Sequence, residues 1–168
     1  MNATTTTVPT ESEDARYADL QLLAIDAARD NDHELLRPML LAGLPVNLQD
    51  AKGNTLLMLA AYHGHVETVR LLLEHGADPD RRNDRNQTPL GGVAFKGHLE
   101  IARLLVASGA NPAADQGGGQ TPLMFATLFG RLEAARYLRS LTPRNRFSGG
   151  LDLLARLKAW LRRRRQPS

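Results

Sequence analysis

The 168-residue chain is 42% apolar, 5% aromatic and free of cysteine, which suits one aliphatic, helix-packed domain and excludes a disulfide framework, a thiol nucleophile or cysteine-ligated zinc. No run approaches the ~18 apolar residues of a membrane span, and "MNATTTTVPTESEDAR" is not a basic-then-apolar leader, so a cytoplasmic protein is expected. The net charge of +3 hides an asymmetry: residues 1–143 carry 13 basic and 17 acidic side chains, residues 144–168 carry 8 and 1. Attraction to anionic lipid or nucleic acid would therefore reside in the tail.

Residues 1–16, rich in threonine and lacking apolar periodicity, are expected to be disordered. From 17 to 143 the chain repeats itself with a period of 33, giving four units at about 17–49, 50–82, 83–115 and 116–143. Thr55, Thr88 and Thr121 are in register, as are Gly64, Gly97 and Gly130, and Glu67, Glu100 and Glu133. Ala27, Glu34 and Gly43 carry the frame back into the first unit, which has Pro38 inside its second helix.

Each unit predicts a short helix capped by threonine and ended by glycine, then a tight turn and a second helix. In the second helices, Val66, Val69 and Leu71 to Leu73, echoed by Leu99, Ile101, Leu104 and Leu105, form apolar stripes that one unit cannot bury, so the units must stack. Stretches 77–87 and 110–120, rich in Gly, Asn, Asp and Pro, read as projecting turns. Glu67, Glu100 and Glu133 suit the positive end of each second helix.

Thr88 to Leu90, Ala60 and Ala61, Gly64 and His65, Leu71 to Leu73, and Gly76 to Asp78 together resemble the ankyrin repeat. The resemblance spans about residues 17–141 and implies an all-α solenoid of helix-turn-helix units with projecting β-turn fingers. Met58, Gly91 and Met124 stand where that family usually has histidine. Gly91 and Gly92 fall inside a first helix, at a propensity cost of about 2 kcal/mol. Close approach of a neighbour where no Cβ fits, and local softness, both remain open as explanations.

The resemblance further implies a non-enzymatic module that binds a partner protein through finger tips and first-helix ends lining a concave face, as an adaptor, regulator or inhibitor. Those positions here are Tyr62, His63, Phe95, Lys96, Leu128 and Phe129 at helix ends, with Lys52, Asn54, Arg85 and Gln87 on fingers. Tyr62, Phe95 and Leu128 share one position of the frame and predict an apolar row suited to protein contact. No catalytic residue, cofactor or metal site is expected. Gly117 to Gly119 lack the Gly-Lys-Ser/Thr ending of a phosphate loop, and His63 and His65, two apart, do not share a helix face.

After "SGG" at 148–150, the tail segment "LDLLARLKAWLRRRRQPS" predicts a basic amphipathic helix with Leu157 and Trp160 on its apolar side and Arg162, Arg163, Arg164 and Arg165 at its end. Capping the open end of the fourth unit is the expected role. The alternative is a peripheral tether to an anionic membrane or to nucleic acid.

Overall fold

Ser12, Thr55, Thr88 and Thr121 each stand in extended backbone and accept a hydrogen bond from the N–H three residues on, starting one helix apiece. The computed structural model describes residues 12–142, which form eight helices and no strand. They are α1 (Glu13–Asp30), α2 (His33–Leu41), α3 (Leu56–His63), α4 (Val66–Glu74), α5 (Pro89–Lys96), α6 (Leu99–Ala107), α7 (Pro122–Leu128) and α8 (Leu132–Leu141). Four helix pairs follow, as the 33-residue period requires. The first helices α1, α3, α5 and α7 stack in one layer, and α2, α4, α6 and α8 in a second.

Small side chains permit the close stacking of the first layer: Ala28, Ala61 and Ala94 occupy one register position and are all fully buried. Leu72, Leu105 and Leu138 do the same for the second layer. Gly64 and Gly97 end α3 and α5 in the left-handed conformation, and their register equivalent after α1 is Asn31, at φ 65°. The Asn31 side chain offsets that strain by accepting the Thr68 hydroxyl at 3.0 Å.

Each later repeat grips the one before it through the residue preceding its second helix. His65 Nε2 donates to the Arg29 carbonyl at 2.6 Å, His98 Nε2 to that of Tyr62 at 3.2 Å, and Arg131 Nε to that of Phe95 at 3.0 Å. The equivalent residue of the first repeat is Asp32, which caps its own helix at Leu35 N instead. Glu67, Glu100 and Glu133 do lie in first turns, yet Glu100 reaches Arg70 of the previous repeat at 3.0 Å and Glu133 pairs with Arg136 at 2.7 Å.

Glu13–Arg16, assigned to the disordered segment 1–16, form the first turn of α1, because Ser12 caps Ala15 N while Glu13 and Asp14 place carboxylates at the positive helix end. The helix then runs 18 residues without the threonine cap of the later repeats. Residues 1–11 lie outside the described residues, and so does the tail 144–168, a linker and the expected helix with Leu157, Trp160 and Arg162 to Arg165.

Candidate functional site

The fingers take their shape from one acceptor each. Asp50 Oδ1 accepts the N–H groups of Lys52 and Asn54, and Asn83 Oδ1 those of Arg85 and Gln87, so residues two and four further on are fixed in both turns. In the fourth repeat the acceptor moves one residue earlier, to Asp115, which binds Gly117 N and Gly119 N. Adjacent fingers are tied together: Asp84 N donates to the Lys52 carbonyl, Gln49 to that of Arg82, and Arg82 to that of Asp115.

Between these fingers and the first-helix layer runs a groove of 640 Å³. Tyr62, His63, Phe95 and Phe129 line it from the helix ends, and Lys52, Asn54, Arg85 and Gln87 from the fingers. Lys96 stands over Tyr62, its Nζ 5.0 Å from the ring centre. Leu128 does not line the groove. The aromatic row instead runs Tyr62, Phe95, Phe129: the first two rings stack at 6.3 Å and 7°, and Phe129 meets Phe95 edge-on at 4.4 Å. Because α7 ends one residue sooner than α3 and α5, Phe129 leaves the helix as its C-cap with the ring against Phe95.

Sequence reasoning missed the groove floor. Met58, Leu59, Gly91, Gly92 and Phe125 contribute to it, and their 33-residue register was the available signal. It also missed Gln116, a 3% exposed amide that reaches across to the start of α5. Its Oε1 accepts Thr88 N at 2.8 Å, and its Nε2 donates to Thr88 Oγ1 and to the Ala114 carbonyl, each at 3.0 Å. A Cβ at Gly91 would collide with Oε1 and lie 2.6 Å from Cδ. At Gly92 a Cβ would meet only Tyr62 Cδ2, at an ordinary 3.4 Å. The two glycines therefore have different reasons: the first yields its place to Gln116, and the second leaves the floor open.

A family model described as ankyrin repeats, in three copies, matches residues 24–116, more than half of the chain. The chain belongs to the ankyrin-repeat family. Its relatives include an ankyrin repeat protein of Pseudomonas aeruginosa, 54% identical over 46 residues, which are 27% of either chain. Human ankyrin repeat domain-containing protein 29 is 47% identical over 53 residues, covering 31% of this chain and 18% of the relative. Human ankyrin repeat and SAM domain-containing protein 4B is 44% identical over 55 residues, covering 33% and 13%. The matches thus span about a quarter or less of these relatives' length. Ankyrin repeats are in general non-enzymatic modules for protein–protein interaction.

Two ionisable groups of this ankyrin groove are perturbed. Burial would push the Asp50 carboxyl up, but hydrogen bonds from the Asn54 side chain, the N–H groups of Asn54 and Lys52, and the Arg29 guanidinium hold it below the usual carboxylate range. Burial, then the His65 ring, Lys96 and Arg29, lower the His63 imidazole, which keeps it neutral at neutral pH. Across the Gly64 turn the His63 and His65 rings stack at 5.8 Å and 13°, since the left-handed glycine reverses the chain between them. No group of three His, Asp or Glu suited to a metal ion occurs among the described residues, and no helix there is long and apolar enough to cross a membrane.

The depressed Asp50 group stabilises the fold above the ordinary carboxylate range, and that contribution is lost as pH falls through its lower folded value. Asn83 performs the same turn-forming task with an amide. Asp50→Asn is accordingly expected to cost about 1 kcal/mol at neutral pH, through loss of the Oδ2 acceptor that the Asn54 amide and the Arg29 guanidinium share, and to weaken the acid dependence. Denaturant midpoints measured from pH 7 down to pH 2 check this; parallel profiles for the two proteins would contradict it.

Proposed function

We propose that this ankyrin array is a non-enzymatic adaptor or regulator that holds a partner protein in the groove of its second to fourth repeats. The observation that carries the reading is the row Tyr62, Phe95 and Phe129, with Tyr62 and Phe129 each 40% exposed, set along a groove whose opposite wall is polar and cationic. Rigid aromatic side chains left in water at a concave face contribute large contact area on binding at small entropic cost. Exposure at these positions is not needed by the fold, whose core lies between the layers.

The test is affinity capture from host lysate with the parent chain and with Tyr62→Ser/Phe95→Ser. The double variant is expected to lose at least ~30-fold in affinity for the captured protein, as central aromatic anchors do, with its helical content and melting temperature preserved. Equal capture by a folded double variant would overturn the groove as the binding face.

A further inference from the structure

The groove is not evenly floored. At the register position of Gly92, the second repeat has Leu59 and the fourth has Phe125, and all three residues line the groove. Only the third repeat lacks a side chain there, which leaves a notch in the floor, with Tyr62 Cδ2 on its border 3.4 Å from where a Cβ would stand. Gln116 fills the space above Gly91 but makes no contact within 4 Å of a Cβ at Gly92. A helix-destabilising glycine, half-buried beside the Tyr62 ring, has the form of a receptor for an inserted side chain.

The charge along the finger wall is one-sided. Arg29 and Asp50 neutralise each other at 3.1 Å, whereas Lys52 and Arg85 line the groove with no carboxylate within ion-pair distance among the described residues. Both are exposed and in register, one repeat apart. Packed helices lie about 9 Å apart, and an extended polyproline-type chain returns to the same edge every third residue after about 9 Å. A carboxylate at every third residue would thus meet Lys52 and Arg85 in turn.

Resting on the groove as the binding face, we infer that its occupant is an extended acidic segment of a partner protein, carrying two carboxylates three residues apart. Between them it presents one aliphatic or aromatic side chain to the Gly92 notch. The cations set charge preference and direction along the stack, and the notch supplies the apolar anchor.

The full chain is immobilised and panned against phage-displayed random short peptides. Enriched peptides are expected to hold Asp or Glu at three-residue spacing with Leu, Ile, Met or Phe between. Gly92→Leu, which gives the third repeat the residue of the second, is expected to bind them at least about tenfold more weakly, the worth of one buried aliphatic anchor. Gly92→Ala meets only an ordinary contact, keeps the fold, and is expected to lose several-fold. Lys52→Glu/Arg85→Glu is expected to select basic peptides instead. Peptides that need Tyr62 and Phe95 but are neutral or basic, or that bind Gly92→Leu as well as the parent, would overturn this inference and leave the groove reading standing. Peptides indifferent to Tyr62→Ser/Phe95→Ser, or no enrichment, would overturn both.

Discussion

Gly91→Met is expected to destabilise the protein by about 3 kcal/mol, although methionine is the residue that the second and fourth repeats carry at this position and is a far better helix former. The gain in helix propensity is about 1 kcal/mol. Against it stands the Gln116 amide, buried and held by Thr88 and Ala114 in the space a side chain would need. Expelling that amide leaves Thr88 N buried without its acceptor, at about 1–3 kcal/mol, and crowding a filled site adds a similar amount. Adding Gln116→Asn, which recreates the amide found at Asn83, removes the collision and is expected to recover more than half of the loss. Urea denaturation of the parent, both single variants and the double variant gives the coupling directly. A Gly91→Met protein as stable as the parent would show that Gln116 moves aside freely.

That pairing also marks where the sequence stops being readable. The helix pairs, their threonine caps and their glycine ends follow from local chemistry repeated every 33 residues, and each recurrence corroborates the others. The Gln116–Thr88 contact joins residues 28 apart and exists because the turn-forming acceptor shifted to Asp115, which freed its neighbour to turn inward. No single-repeat pattern encodes such a shift. The early start of α1 did have a signal, Ser12 followed by Glu13 and Asp14, but it lay against a threonine-rich stretch without apolar period and was outweighed. At the groove, Tyr62 and Phe95 were legible because register alone places them side by side. The replacement of Leu128 by Phe129 was not, since it turns on the length of α7.

Leu105→Ala is expected to cost about 3–4 kcal/mol, the loss typical of a fully buried leucine in a core that cannot collapse around the void. Its consequence depends on where in the stack it falls. In an array whose repeats touch only their neighbours, stability divides into terms for each repeat and each interface. Leu105 lies in α6, which packs on both α4 and α8, so its loss weakens two interfaces at once. Hydrogen exchange read helix by helix is expected to show α5 to α8 opening together in this variant. Leu138→Ala, equally buried in the same register row, is expected to open α7 and α8 while α3 to α6 keep their protection. Identical exchange patterns for the two variants would mean that the array unfolds as one unit and that the nearest-neighbour description fails. The distinction reaches function, because the groove draws its aromatic row from the second, third and fourth repeats. Leu105→Ala removes no groove side chain, yet it separates Tyr62 from Phe95 and Phe129 whenever the third repeat opens, and partner affinity should fall with the fraction of time spent open.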